Sequence, residues 1–192
     1  ISVITNGMDA MNSASGLGQV SAILCLLILV YATFPIAQVI RSAGDSLSSS
    51  KSGTVDFIFR DFVTENIKAL GHVTALVALF GAFCSTVAWI LNSNGMSMNV
   101  DLYGGAAYAY ALPLEATATF LEMIRLDYVG GIISDFFSWD LTGSDATGYT
   151  IDGLVAVGWE YAQVILILAK LYLALAIYHW VYGIVSTLAR WI

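Results

Sequence analysis

The sequence predicts an all-α integral membrane protein with three transmembrane helices, and three observations carry that expectation. The chain has 192 residues, of which 58% are hydrophobic and only 11% charged. Soluble domains are roughly half apolar and about a quarter charged, so too little charge is present here to coat a water-soluble core. Three windows reach the ~20 apolar residues that cross a bilayer at 1.5 Å per residue, and none has Asp or Glu between its ends. Lys and Arg are also distributed unevenly around those windows.

The elements follow in order. Residues 1–16 form an N-terminal segment without Lys or Arg. The first span is residues 17–40, with Pro35 late enough to kink its last turns. Residues 41–66 join it to the second span. Their first part, "SAGDSLSSSKSGT", is small and polar and reads as a flexible linker. Their second part spaces Val55, Ile58, Phe59 and Phe62 as one helical face, with Asp56, Arg60, Asp61 and Glu65 elsewhere. That pattern is an amphipathic helix at the membrane interface, or an ordinary helix packed on a partner. The second span is residues 67–91 and the third is residues 161–188. Residues 92–160 between them carry many aromatic and acidic side chains and read as a small outer cap. Within it, Pro113 suits a first helical position, followed by a short helix through Leu114, Ala118, Leu121 and Met123–Ile124. A fourth crossing over residues 106–124 is disfavoured by Glu115, Glu122 and the internal Pro113. The glycine pairs Gly104–Gly105 and Gly130–Gly131 mark turns.

Charge sets the expected direction. Arg41, Lys51 and Arg60 lie between the first two spans, Lys68 lies at the start of the second and Arg190 follows the third, whereas residues 92–160 contain only Arg125. Positive residues mark the cytoplasmic side. The N-terminus and the cap are therefore expected outside, and the first connection and the C-terminal residues 189–192 inside.

The composition also excludes functions. A net charge of −7 lacks the basic face that nucleic acid requires. No Cys-x-x-Cys occurs, and Cys25 and Cys84 lie in apolar runs as small hydrophobes rather than metal ligands. No nucleophile–base arrangement, phosphate loop, zinc motif or calcium loop is present.

Four features carry the candidate chemistry. In the second span Gly71, Ala75, Ala78, Ala82 and Ser85 recur at spacings of 4, 3, 4 and 3, a seam of small residues that lets helices approach. The third span repeats those spacings with Tyr172, Ala176, His179, Gly183 and Ser186. His72 and His179 both fall in the inner half of the membrane. Two facing imidazoles can clamp a haem iron, and one can bind a chlorophyll magnesium; interfacial or hydrogen-bonded histidines are the commoner case. Lys170 is a charge inside an apolar run. Its stem can snorkel toward the outer headgroups, or its ammonium can meet a carboxylate of a partner. Lys170 and His179 are nine residues apart, on nearly opposite helix faces, and cannot form one site.

These features point to a non-catalytic subunit of a multi-protein membrane complex, in secretion or transport machinery or an energy-converting assembly. Its partners would be other membrane subunits and lipid, its location a bacterial inner membrane. The alternative is a haem- or chlorophyll-binding electron-transfer or light-harvesting subunit that uses His72 and His179.

Overall fold

The structure, a computed structural model, describes residues 16–93, 111–138 and 148–189. All regular elements among them are helices: α1 Leu17–Ser49, α2 Thr54–Ile90, α3 Leu112–Met123, α4 Asp127–Ser138 and α5 Ile151–Ala189. Three of them, α1, α2 and α5, are long and apolar enough to cross a membrane. The N-terminal segment, Gly104–Gly105, Ser144 and Arg190 lie outside the described residues. The chain divides into two compact units. One comprises Ile1–Gln38, Ala75–Leu102 and Asp140–Leu166, and the other comprises Val39–Thr74, Tyr103–Trp139 and Ile167–Ile192.

In the first unit, α1 turns a narrow stripe inward through Ser21, Ala22, Cys25, Leu29 and Ala32. Its large side chains point the other way: Leu27, Tyr31 and Phe34 are each about 60% exposed or more (60%, 64% and 65%). Small residues inside and large apolar residues outside suit a helix bathed in lipid, where no water penalises the outer face. The two thiols join α1 to α2. Cys25 Sγ donates to the Cys84 carbonyl at 3.6 Å, and Cys84 Sγ returns a bond to the Cys25 carbonyl at 3.8 Å. Both are fully buried, as their setting in apolar runs suggests, and neither is in a disulfide.

The far end of α2 closes with a Schellman cap. Ser93 N–H bonds to the Ala88 carbonyl and Asn92 N–H to that of Trp89, with Asn92 at φ 48°. Asn tolerates this left-handed position better than most residues. The Asn92 amide oxygen then accepts the Tyr149 N–H at 2.9 Å, Trp89 donates to the Thr150 carbonyl at 2.8 Å, and the Trp89 and Tyr149 rings stack at 4.8 Å. These contacts fix where α5 begins, ten residues before the predicted start of the third span. Gly153 is required there, because a Cβ would come within 2.5 Å of the Gly148 carbonyl oxygen.

In the second unit the predicted linker is largely helix. α1 runs through Pro35 and Arg41 to Ser49, leaving only Ser50 to Gly53 outside helices. An Arg41–Asp45 pair at 3.8 Å and serine hydroxyls bonding back to the Asp45 and Ser46 carbonyls sustain the last turns. The predicted amphipathic helix is not separate either. It is the start of α2, with a wider π-helical turn over Phe57–Phe62, because no Gly or Pro between Val55 and Lys68 interrupts the backbone. Its apolar face remains outward, with Val55, Ile58, Phe59 and Phe62 all exposed.

The short helix after Pro113 appears as α3, and it pairs with α4. Gly130–Gly131 are not the turn but part of α4. The turn lies at Ile124 to Leu126, where a second Schellman cap puts Arg125 at φ 68° and bonds Leu126 N–H to the Leu121 carbonyl. Gly130 is instead the contact point: a Cβ there would lie 2.8 Å from Glu122 Cγ and 2.9 Å from the Ala118 carbonyl oxygen.

Candidate functional site

The first turns of α2 and the last turns of α5 meet within the second unit. Tyr182 donates its hydroxyl to Asp56 Oδ1, and Tyr178 donates to the Phe59 carbonyl. Further along, Gly71 faces Leu171, and the His72 ring stands edge-on to Tyr172 with centroids 6.4 Å apart. The pairs 56–182, 59–178 and 71–171 run in opposite directions along the chain, so the two segments are antiparallel.

A cavity of about 290 Å³ opens beside the π-helical turn. α2 supplies most of its wall, through Arg60, Asp61, Thr64, Glu65 and Lys68; Ser46 and Ser50 complete it from the end of α1, and His179 from α5. Its charges are arranged in pairs. Arg60 Nε donates to Asp61 Oδ1 at 2.8 Å, and Lys68 Nζ to Glu65 Oε1 at 2.9 Å. Asp61 also accepts hydroxyl bonds from Ser50 at 2.5 Å and Ser52 at 2.6 Å. The carboxylates are thus committed, while Arg and Lys each keep several N–H donors beyond the one used. His179 Nδ1 lies 2.7 Å from the Leu175 carbonyl, and because a carbonyl only accepts, Nδ1–H is the donor of that bond.

Thr64 differs from five other helical threonines. Thr74, Thr86, Thr117, Thr119 and Thr187 each bond to the carbonyl four residues back. Thr64 sits just past the π-turn, where the Val63 N–H already holds the Arg60 carbonyl. Its hydroxyl is buried without a partner, although the residue is only 6% exposed. Composition and helical periodicity carried no signal for this cavity, since nothing in them marks a π-turn.

The predicted residues separate into distinct settings. Of the second-span seam, Gly71, Ala75 and Ala82 are buried and Ala78 and Ser85 half-buried, so this seam packs within the chain. Ser85 donates to Glu160 Oε1 at 3.0 Å. A carboxylate therefore stands level with the second apolar window, which the predicted span boundaries excluded. The third-span residues Tyr172, Ala176 and Gly183 are exposed, with Ser186 half-buried; α5 packs inward instead through Ile167, Leu171, Ala174 and Leu175. Lys170 shares that inward face and is 4% exposed. Its side chain is thus enclosed by the chain itself.

His72 and His179 do not form one clamp. His72 lies against Tyr172, seven residues before His179 on α5, and thirteen residues beyond Phe59, which marks the level of His179 on α2. At helical rise the imidazoles stand about 10–20 Å apart, whereas two ligands of one iron lie about 4 Å apart. Among the described residues no group of three or more His, Cys, Asp or Glu could hold a metal ion.

The fold is thus an α-helical chain with three helices long and apolar enough to span a membrane, carrying a mixed-charge cavity beside the π-turn. No protein-family model, curated protein or solved structure matches it.

Proposed function

We propose that the chain is a non-catalytic integral-membrane subunit of a larger assembly in a bacterial inner membrane, working through helix packing in secretion, transport or energy conversion. Its N-terminus faces outward and its basic connection faces the cytoplasm, following the Lys and Arg distribution.

The observation that supports this reading best is the division of labour on α5. Ile167, Leu171, Ala174 and Leu175 serve the chain's own packing, while Tyr172, Ala176 and Gly183 are exposed. A Cβ placed on Gly183 meets nothing within 4 Å. In lipid, helices associate by close van der Waals approach over such small residues rather than by a hydrophobic drive, so this face suits a neighbouring subunit's helix.

The test enlarges those residues. Ala176→Leu and Gly183→Leu should release the tagged chain from its larger assembly on native gels of solubilised membranes. The expected loss is at least about fivefold in recovered complex, from an overpacking cost of roughly 1–3 kcal/mol. Ala37→Leu, at an exposed position on α1, should leave recovery unchanged. Equal recovery of all three variants would remove the α5 face as an interface.

A further inference from the structure

We infer that the cavity beside the π-turn binds a phosphate group, held by Arg60, Lys68 and the Thr64 hydroxyl with His179 alongside. Of these residues only His179 belongs to the α5 seam; Arg60, Lys68 and Thr64 lie on α2, so this site and the assembly reading are tested by different substitutions.

The first support is the surplus of donors. Asp61 and Glu65 are each occupied by a cation, and Asp61 by two hydroxyls as well. Arg60 and Lys68 retain unused N–H groups on the same wall, and these match the several acceptor oxygens of a phosphate. A cation would meet two carboxylates that are already paired.

The second support is Thr64. A buried hydroxyl without a partner is costly, and this one belongs to a residue of the cavity wall. Thr64 is four residues from both Arg60 and Lys68, and all three belong to the cavity wall beside the π-turn. Wide helical turns of this kind are frequent at functional positions. A phosphate oxygen would accept the hydroxyl proton and complete the bond that five other threonines make internally.

The phosphate can belong to a phospholipid or be free in solution. The first source is favoured by position. Ile58, Phe59 and Phe62 are exposed on the same turn, as they would be if acyl chains lay beside a headgroup in the cavity. The volume of about 290 Å³ is at the lower end of small-ligand sites, enough for a headgroup.

The test uses the full-length chain, delipidated in a phosphate-free maltoside detergent, and measures binding by native mass spectrometry and thermal shift. The probes are dihexanoyl phosphatidylglycerol and inorganic phosphate. Saturable binding of the lipid alone identifies a headgroup site, and binding of both identifies a site for the phosphate itself. Arg60→Gln and Lys68→Met should each weaken binding at least tenfold. Thr64→Val should weaken it severalfold, while Thr64→Ser stays near wild type. Without ligand, Thr64→Val should melt at or slightly above the wild-type temperature, because valine removes an unsatisfied hydroxyl; this arm holds even if a charge variant fails to fold. The inference is overturned if neither probe saturates, if binding is unchanged in all three weakened variants, or if ligand-free Thr64→Val is clearly destabilised.

Discussion

Gly71 shows how much one hydrogen atom decides in this chain. A Cβ there would sit 2.7 Å from Leu171 Cδ2 and 2.9 Å from its Cγ. Leu171 is fully buried, so its end has nowhere to swing. Gly71→Ala should lower stability by about 1–3 kcal/mol, the usual cost of overpacking. Gly81→Ala, whose Cβ meets nothing within 4 Å, should be neutral or stabilising by about 0.4–1 kcal/mol. Thermal melts of the two variants in detergent check this, and equal melting temperatures would contradict the close approach. The seam containing Gly71 was legible because small residues repeating every 3.5 positions keep one side of a helix thin enough for a neighbour's backbone. The setting of Lys170 was not. Hydropathy registers its charge as an anomaly but cannot say which face of α5 turns inward, and that depends on contacts far along the chain. Thr64 was hidden for a related reason, since sequence does not say which helical hydroxyl will lack an acceptor.

At the scale of elements, the helices were easier to recognise than their ends. The apolar windows placed the three long helices correctly in order. Each helix nevertheless runs past its window, because hydropathy follows side chains while a helix ends where backbone bonds are rerouted. Residues 42–49 have the composition of a linker, yet local serine bonds and a weak Arg–Asp pair keep them helical. The α3–α4 turn misled in the opposite sense. Gly130–Gly131 look like a turn, and Ile124–Arg125–Leu126 do not, but the Schellman bonds put Arg125 in the left-handed region. The glycine pair supplies close packing instead, and its two members are not equivalent. Gly130→Ala drives a Cβ onto the α3 backbone and should open the pair, at about 1–3 kcal/mol. Gly131→Ala meets nothing within 4 Å and should not. Hydrogen exchange over residues 112–138 should accelerate roughly five- to hundredfold in Gly130→Ala, if opening follows that energy. Matching exchange in both variants would refute the contact.

For the molecule as a whole, the charge asymmetry makes a topological prediction. Cys25 and Cys84 are 0% and 1% exposed, so they stay silent toward impermeant thiol reagents, and new cysteines can be read against them. Ser144→Cys should be labelled in intact cells and Ser49→Cys only after the membrane is permeabilised. Labelling of both in intact cells would reverse or break the proposed orientation. At this scale the three long apolar helices were legible, since a run of about 20 apolar residues is recorded directly in the sequence.

The length of α2 has a mechanical consequence. Its 37 residues span about 55 Å, against a hydrocarbon thickness of about 30 Å. Even at a steep 40° tilt the hydrocarbon covers only ~39 Å of it, so roughly 16 Å of unbroken helix continues among and beyond the headgroups as a rigid post. Membranes of different thickness retilt the immersed part, and a post transmits that rotation to its tip. A change of about 10° would sweep the tip by ~3 Å, as far as a hydrogen bond is long. A neighbour gripping the first turns of α2 would therefore sense bilayer thickness as sideways displacement.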